Sequence, residues 1–102
     1  MCSGIFLGIL KNMDSILYTT DGERIKVTPS NGTDFSLEEL QGFVGGYIEI
    51  IRLGDNRLVI VNEEGKLLGL PMNIFVTNII QSAGRQDIIV GNVLICDLDK
   101  VK

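Results

Sequence analysis

Histidine and tryptophan are absent from the 102 residues. Without histidine there is no Ser-His-Asp or Cys-His nucleophilic pair, no imidazole acid–base group and no histidine metal ligand. Only two cysteines occur, Cys2 and Cys96, far apart in the chain. Two thiols without histidine are too few for a structural zinc site within one chain. Free thiols in a reducing compartment are the expected state. No apolar run approaches the ~20 residues that span a bilayer. The stretch from Ile5 to Leu10 is short and lacks the basic start of a secretory signal. Lys and Arg number 9 against 13 Asp and Glu, for a net charge of −4. The cations are scattered singly, so the basic stripe that neutralises phosphates is missing. Direct nucleic-acid binding and adhesion to an anionic membrane are disfavoured. Neither a P-loop nor a GxGxxG fingerprint is present, which disfavours ordinary NTPases and dinucleotide enzymes.

What remains is an ordinary globular composition, 45% hydrophobic and 22% charged. A chain of this length forms one domain around one core. The domain is expected to span 1–102, with an apolar N-terminal arm over 1–13. Asp21-Gly22 separates the β-prone runs SILYTT and RIKVT and predicts a hairpin. Ser36 and Glu39 have the spacing of a capping box, and Phe35 with Leu40 that of a hydrophobic staple. A short helix is therefore expected, ending at Gly45-Gly46.

Tyr47 to Leu53 and Arg57 to Asn62 read as two strands joined at Gly54-Asp55-Asn56. In the first, Ile48 and Ile50 share one face, while Tyr47, Glu49 and Ile51 share the other. The second, LVIV, is apolar on both faces and so belongs inside the sheet. Leu67-Leu68 suggests a further brief strand. Pro71 suits the first turn of a second helix, whose apolar stripe is Met72, Phe75, Val76, Ile79, Ile80 and Ala83. The other side of that helix carries Asn73, Thr77, Asn78, Gln81 and Ser82, polar and uncharged. Ile88 to Val90 and Val93 to Cys96 close the chain as strands interrupted at Gly91, followed by a charged tail expected to fray. The pattern predicts an α+β fold, a mostly antiparallel sheet of about five strands with two helices packed on one face.

Three motifs in order carry a resemblance. They are VGGYIE over 44–49 after an LEELQ helix, NEEGKLLGLP with Asn73 over 62–73, and DIIVGNV over 87–93. Together they resemble the DUF3846 family, small proteins of unknown function encoded mainly by phages, plasmids and their bacterial hosts. The family-like core is 29–96. The resemblance implies a mobile-element accessory protein in the host cytoplasm and no established activity.

Candidate chemistry centres on the turn within the second motif, NEEGKLLGLP with Asn73. Glu63 and Glu64 could pair for acid–base work or Mg²⁺, but adjacent strand residues point to opposite faces. Gly46 permits close backbone approach, and Tyr47 can stack on a base or fill the core. Asn62 and Asn73 can hydrogen-bond a base or ribose, and Lys66 can meet a phosphate. The helix after Pro71 begins beside them, and helix N-termini favour anions. Gly46, Tyr47, Asn62, Lys66, Pro71 and Asn73 are the candidate ligand-binding residues. No catalytic residue, metal site or cofactor is expected. The expected role is non-catalytic: sequestration of a small nucleotide-like host signalling molecule, by a homo-oligomer of two or more copies. The alternative is a protein-binding inhibitor of a host factor.

Overall fold

The structure is a computed structural model and describes residues 14–53 and 56–101. The expected arm over 1–13, with Cys2, lies outside those residues. So does most of the turn expected at 54–56. Five strands form one sheet: β1 (Ser15–Tyr18), β2 (Arg24–Val27), β3 (Ile48–Arg52), β4 (Arg57–Asn62) and β5 (Val93–Asp97). Their order is β2-β1-β5-β4-β3, and every pairing is antiparallel. The last strand thus enters the centre and joins the two hairpins. Helices α1 (Leu37–Val44) and α2 (Ile74–Ser82) complete the expected α+β architecture.

The two helices lie on opposite faces of the sheet, not on one face as the sequence suggested. Leu58 and Ile60 of β4 and Leu94 and Cys96 of β5 pack with Phe35, Leu40 and Val44 of the α1 region. Their strand neighbours Val59, Val61, Val93 and Ile95 point the other way and pack with Val76 and Ile80 of α2. The cause is the composition of β4 and β5. A strand that is apolar on both faces needs cover on both.

Helix α1 starts as its sequence predicts. Ser36 Oγ accepts from Glu39 N at 3.1 Å, and Glu39 Oε1 accepts from Ser36 N at 2.9 Å. The second carboxylate oxygen accepts from Ser30 N at 3.0 Å. The Ser36 amide, followed by that of Ser30, holds the Glu39 carboxyl below the usual glutamate range. Gly45 ends the helix in the left-handed region, with φ 81°, and its N–H donates to Gln41 O. Phe35 meets Phe43 edge-on, with centroids 5.6 Å apart.

Four local expectations change. Helix α2 begins at Ile74 with Asn73 as its N-cap, so Pro71 precedes the helix instead of opening it. Asn73 captures the Val76 amide at 3.2 Å, and that bond fixes the start. Leu67 and Leu68 lie in hydrogen-bonded turns, not a strand. Ile88 to Val90 contributes only an isolated bridge, Met72 to Val90. Gly91 sits at φ 80°, where an added Cβ would lie 2.8 Å from Leu70 Cδ1. The chain therefore turns there, at the interruption expected from Gly91. The tail does not fray through 101, because Lys100 O accepts from Phe35 N at 2.8 Å and Val101 packs on the α1 cluster.

Leu40 and Ile80 are fully buried on opposite faces. Leu40→Ala and Ile80→Ala should each lower stability by about 3 kcal/mol in urea unfolding. A near-neutral result for either would contradict a core on both faces.

Candidate functional site

Two buried asparagines build the region the motifs single out. Asn62 ends β4 and points toward α1. Its Nδ2 donates to Val44 O at 3.1 Å, and its Oδ1 accepts from Glu64 N at 2.8 Å. Gly46 packs on that amide, where a Cβ would stand 3.0 Å from Nδ2. The chain then coils tightly: Gly65 N donates to Asn62 O, Leu68 N to Glu64 O and Leu70 N to Gly65 O. This coil presents Glu63, Lys66 and Leu67 outward.

Asn73 works on the other side of the same loop. Its Nδ2 donates to Tyr18 O and Gly91 O, both at 3.0 Å, while Oδ1 caps α2. Its backbone N–H donates to Ile89 O at 2.8 Å, and Pro71 O accepts from Gly91 N at 2.8 Å. One turn into the helix, Thr77 Oγ1 accepts from Ile89 N at 3.0 Å and donates to Ile89 O at 3.3 Å. The uncharged polar side of this helix therefore points partly inward, through Asn73 and Thr77. These bonds pin residues 89–91 beside the loop.

Between the coil, β3 and the segment over 85–90 lies a cleft of about 270 Å³. Its charged lining is Glu49, Glu63, Lys66, Arg85 and Asp87, and Leu67 and Ile88 are among its apolar walls. Arg85 and Asp87 form an ion pair at 3.3 Å, half exposed. Such a pair stabilises by only about 0–1 kcal/mol, so a ligand anion can draw on Arg85 at little cost. Among the described residues Lys66 has no ion-pair partner.

Of the six residues picked from sequence, Asn62 and Lys66 reach the cleft. Tyr47 shares the strand face of Glu49, is 64% exposed, and its carbonyl accepts from Glu63 N at 2.8 Å. It is not among the residues that line the cleft. Gly46 supports Asn62 from behind. Pro71 and Asn73 lie outside the lining and hold the 89–91 segment. Sequence reasoning missed Glu49, Arg85 and Asp87. A lone carboxylate in the apolar run YIEII was the available signal for the first.

Burial, with Asp97 adding to it, pushes the Cys96 thiol up to about 12, so it stays neutral and a poor nucleophile. Among the described residues no three His, Cys, Asp or Glu side chains come together as a metal site. No described helix is long and apolar enough to cross a membrane.

A family model described as "Domain of unknown function (DUF3846)" matches residues 13–102. The chain belongs to the DUF3846 family. No curated protein and no solved structure matches it. The match takes in both loop asparagines and all five charged residues of the cleft, so in this DUF3846 chain the whole site lies within the family domain.

Asn73 and Lys66 should separate in a thermal melt. Asn73→Ala removes a cap and takes a donor from two carbonyls, and should cost about 3 kcal/mol. Lys66→Ala, at an exposed position, should stay within about 0.5 kcal/mol of the parent. Equal effects would contradict the division into a buried scaffold residue and an exposed contact residue.

Proposed function

We propose that this protein is a non-catalytic binder that sequesters a small nucleotide-like molecule in the cleft. The observation that carries the reading is the convergence of Lys66 and Arg85 with Glu49 and Glu63 between apolar walls. Each group suits one part of a nucleotide. The two cations meet phosphate oxygens. The carboxylates accept hydrogen bonds from ribose hydroxyls or a base amino group. Leu67 and Ile88 offer apolar surface to a base. A volume of about 270 Å³ suits a ligand near mononucleotide size.

The absence of histidine from the sequence supports binding without turnover. In this reading the protein is an accessory product of a phage or mobile element. It acts in the host cytoplasm and lowers the free concentration of a host signal. A second reading, a protein-binding inhibitor of a host factor, draws on the exposed side chains of Leu67, Leu68, Ile74 and Phe75. Leu67 is 87% exposed, unusual for leucine.

Native mass spectrometry and calorimetry with ADP-ribose, cyclic ADP-ribose and 3′,5′-cyclic nucleotides test the first reading. One compound should bind and be recovered unaltered. Lys66→Ala and Arg85→Ala should each weaken it ~10-fold, about 1.4 kcal/mol. A chain that ignores the whole panel would favour the protein-binding reading.

A further inference from the structure

The two rims of the sheet differ. On β2, Thr19 N donates to Glu23 O at 3.0 Å, which fixes which residues face β1. By alternation, Arg24 and Lys26 turn their backbone N–H and C=O outward. Both carry long cations, and Pro29 follows closely, features that keep a rim from adding strands.

The β3 rim carries only one such cation, Arg52 at its end, and no nearby proline. Tyr47 O accepts from Glu63 N at 2.8 Å, and Leu53 N donates to Arg57 O at 3.0 Å. Odd-numbered residues therefore face β4, and Ile48, Ile50 and Arg52 turn their backbone outward. Among the described residues no strand covers this side. No proline, glycine or lysine interrupts 47–53, and Ile50 is 44% exposed.

We infer that β3 pairs antiparallel with β3 of a second copy, about a two-fold axis through Ile50. A two-fold normal to the sheet joins residues whose numbers share parity, so few registers exist. Centring on Ile50 pairs Ile50 with Ile50 and Ile48 with Arg52 on both sides of the axis. All three outward residues of each strand then exchange both hydrogen bonds, six in total. Centring on Glu49 or Ile51 leaves one outward residue of each β3 without a partner in the other. Centring on Glu49 also sets that carboxylate directly against its own copy, which is unfavourable. In the Ile50 register Glu49 faces Ile51, Ile50 packs on itself, and the Arg52 stem covers Ile48. The strand thus meets itself with no like charges opposed and with Ile50 packed on Ile50, and that fit is what favours a second copy over an unrelated extended peptide.

The pairing makes one ten-stranded sheet from two five-stranded ones. Glu49 and Ile51 line the cleft, so the two clefts meet across the axis on one face. The pairing rests on the strand edge alone and does not depend on what the cleft binds.

Light scattering of the full chain, with amide exchange followed across a concentration series, tests it. The expected mass is about twice 11.2 kDa. Exchange at Ile48, Ile50 and Arg52 should slow as concentration rises, while Arg24 and Lys26 remain fast. Ile50→Lys sets two ammonium groups together at the axis. Ile50→Pro removes an N–H that the monomer does not use. Each should give a folded monomer by circular dichroism. A wild-type monomer throughout the series would overturn the inference. So would a dimer in which those three amides stay fast, or one that survives in a folded Ile50 variant.

Discussion

The Asn73 carboxamide is the contact on which the site depends. It is fully buried, so each of its polar groups must find a partner inside the protein. The partners come from three places: the end of β1, the turn at Gly91 and the first turn of α2. Satisfying one amide therefore fixes the relative placement of strand, turn and helix. Thr77 repeats the device one turn later by bonding both backbone groups of Ile89. Asn62 does the same for the opposite wall, tying the end of α1 to the coil that carries Glu63 and Lys66.

The cleft is the space between two walls that are each anchored by a buried asparagine. Glu49 sits on β3, and Glu63 and Lys66 sit on the hydrogen-bonded coil, which would lower the ordering cost of binding. That favours recognition of a fixed small shape. On the proposed reading, the mixture of two cations and three carboxylates suits a ligand with both anionic and hydroxyl or amino groups. A simple anion would meet repulsion from Glu49, Glu63 and Asp87.

Local features were legible in the sequence because they depend on residues a few positions apart. The capping box at Ser36 and Glu39, the hairpin at Asp21-Gly22 and the inner position of β4 all follow from short-range patterns. Helix placement failed for a different reason. The runs LVIV and VLIC are apolar on both faces, and that pattern already requires cover on both sides of the sheet. Pro71 was read as a helix start because proline suits that position, yet the Asn73 cap two residues later decides it. The site was half legible. Asn62, Lys66 and Asn73 lie within one motif, whereas Glu49 and Arg85 come to that loop only through the β3–β4 pairing and the path of the 85–90 segment. Nor could the sequence separate a buried scaffold amide from an exposed contact, since both are asparagine- or lysine-rich turn chemistry until burial is known.

The central claim is that this cleft is the binding surface, and titration of isotope-labelled protein with the nucleotide panel tests it most directly. The account predicts that backbone shifts concentrate at Glu49, over 63–67 and over 85–90, while β1 and β2 stay unchanged. Shifts confined to the α1 face, with those segments silent, would contradict it.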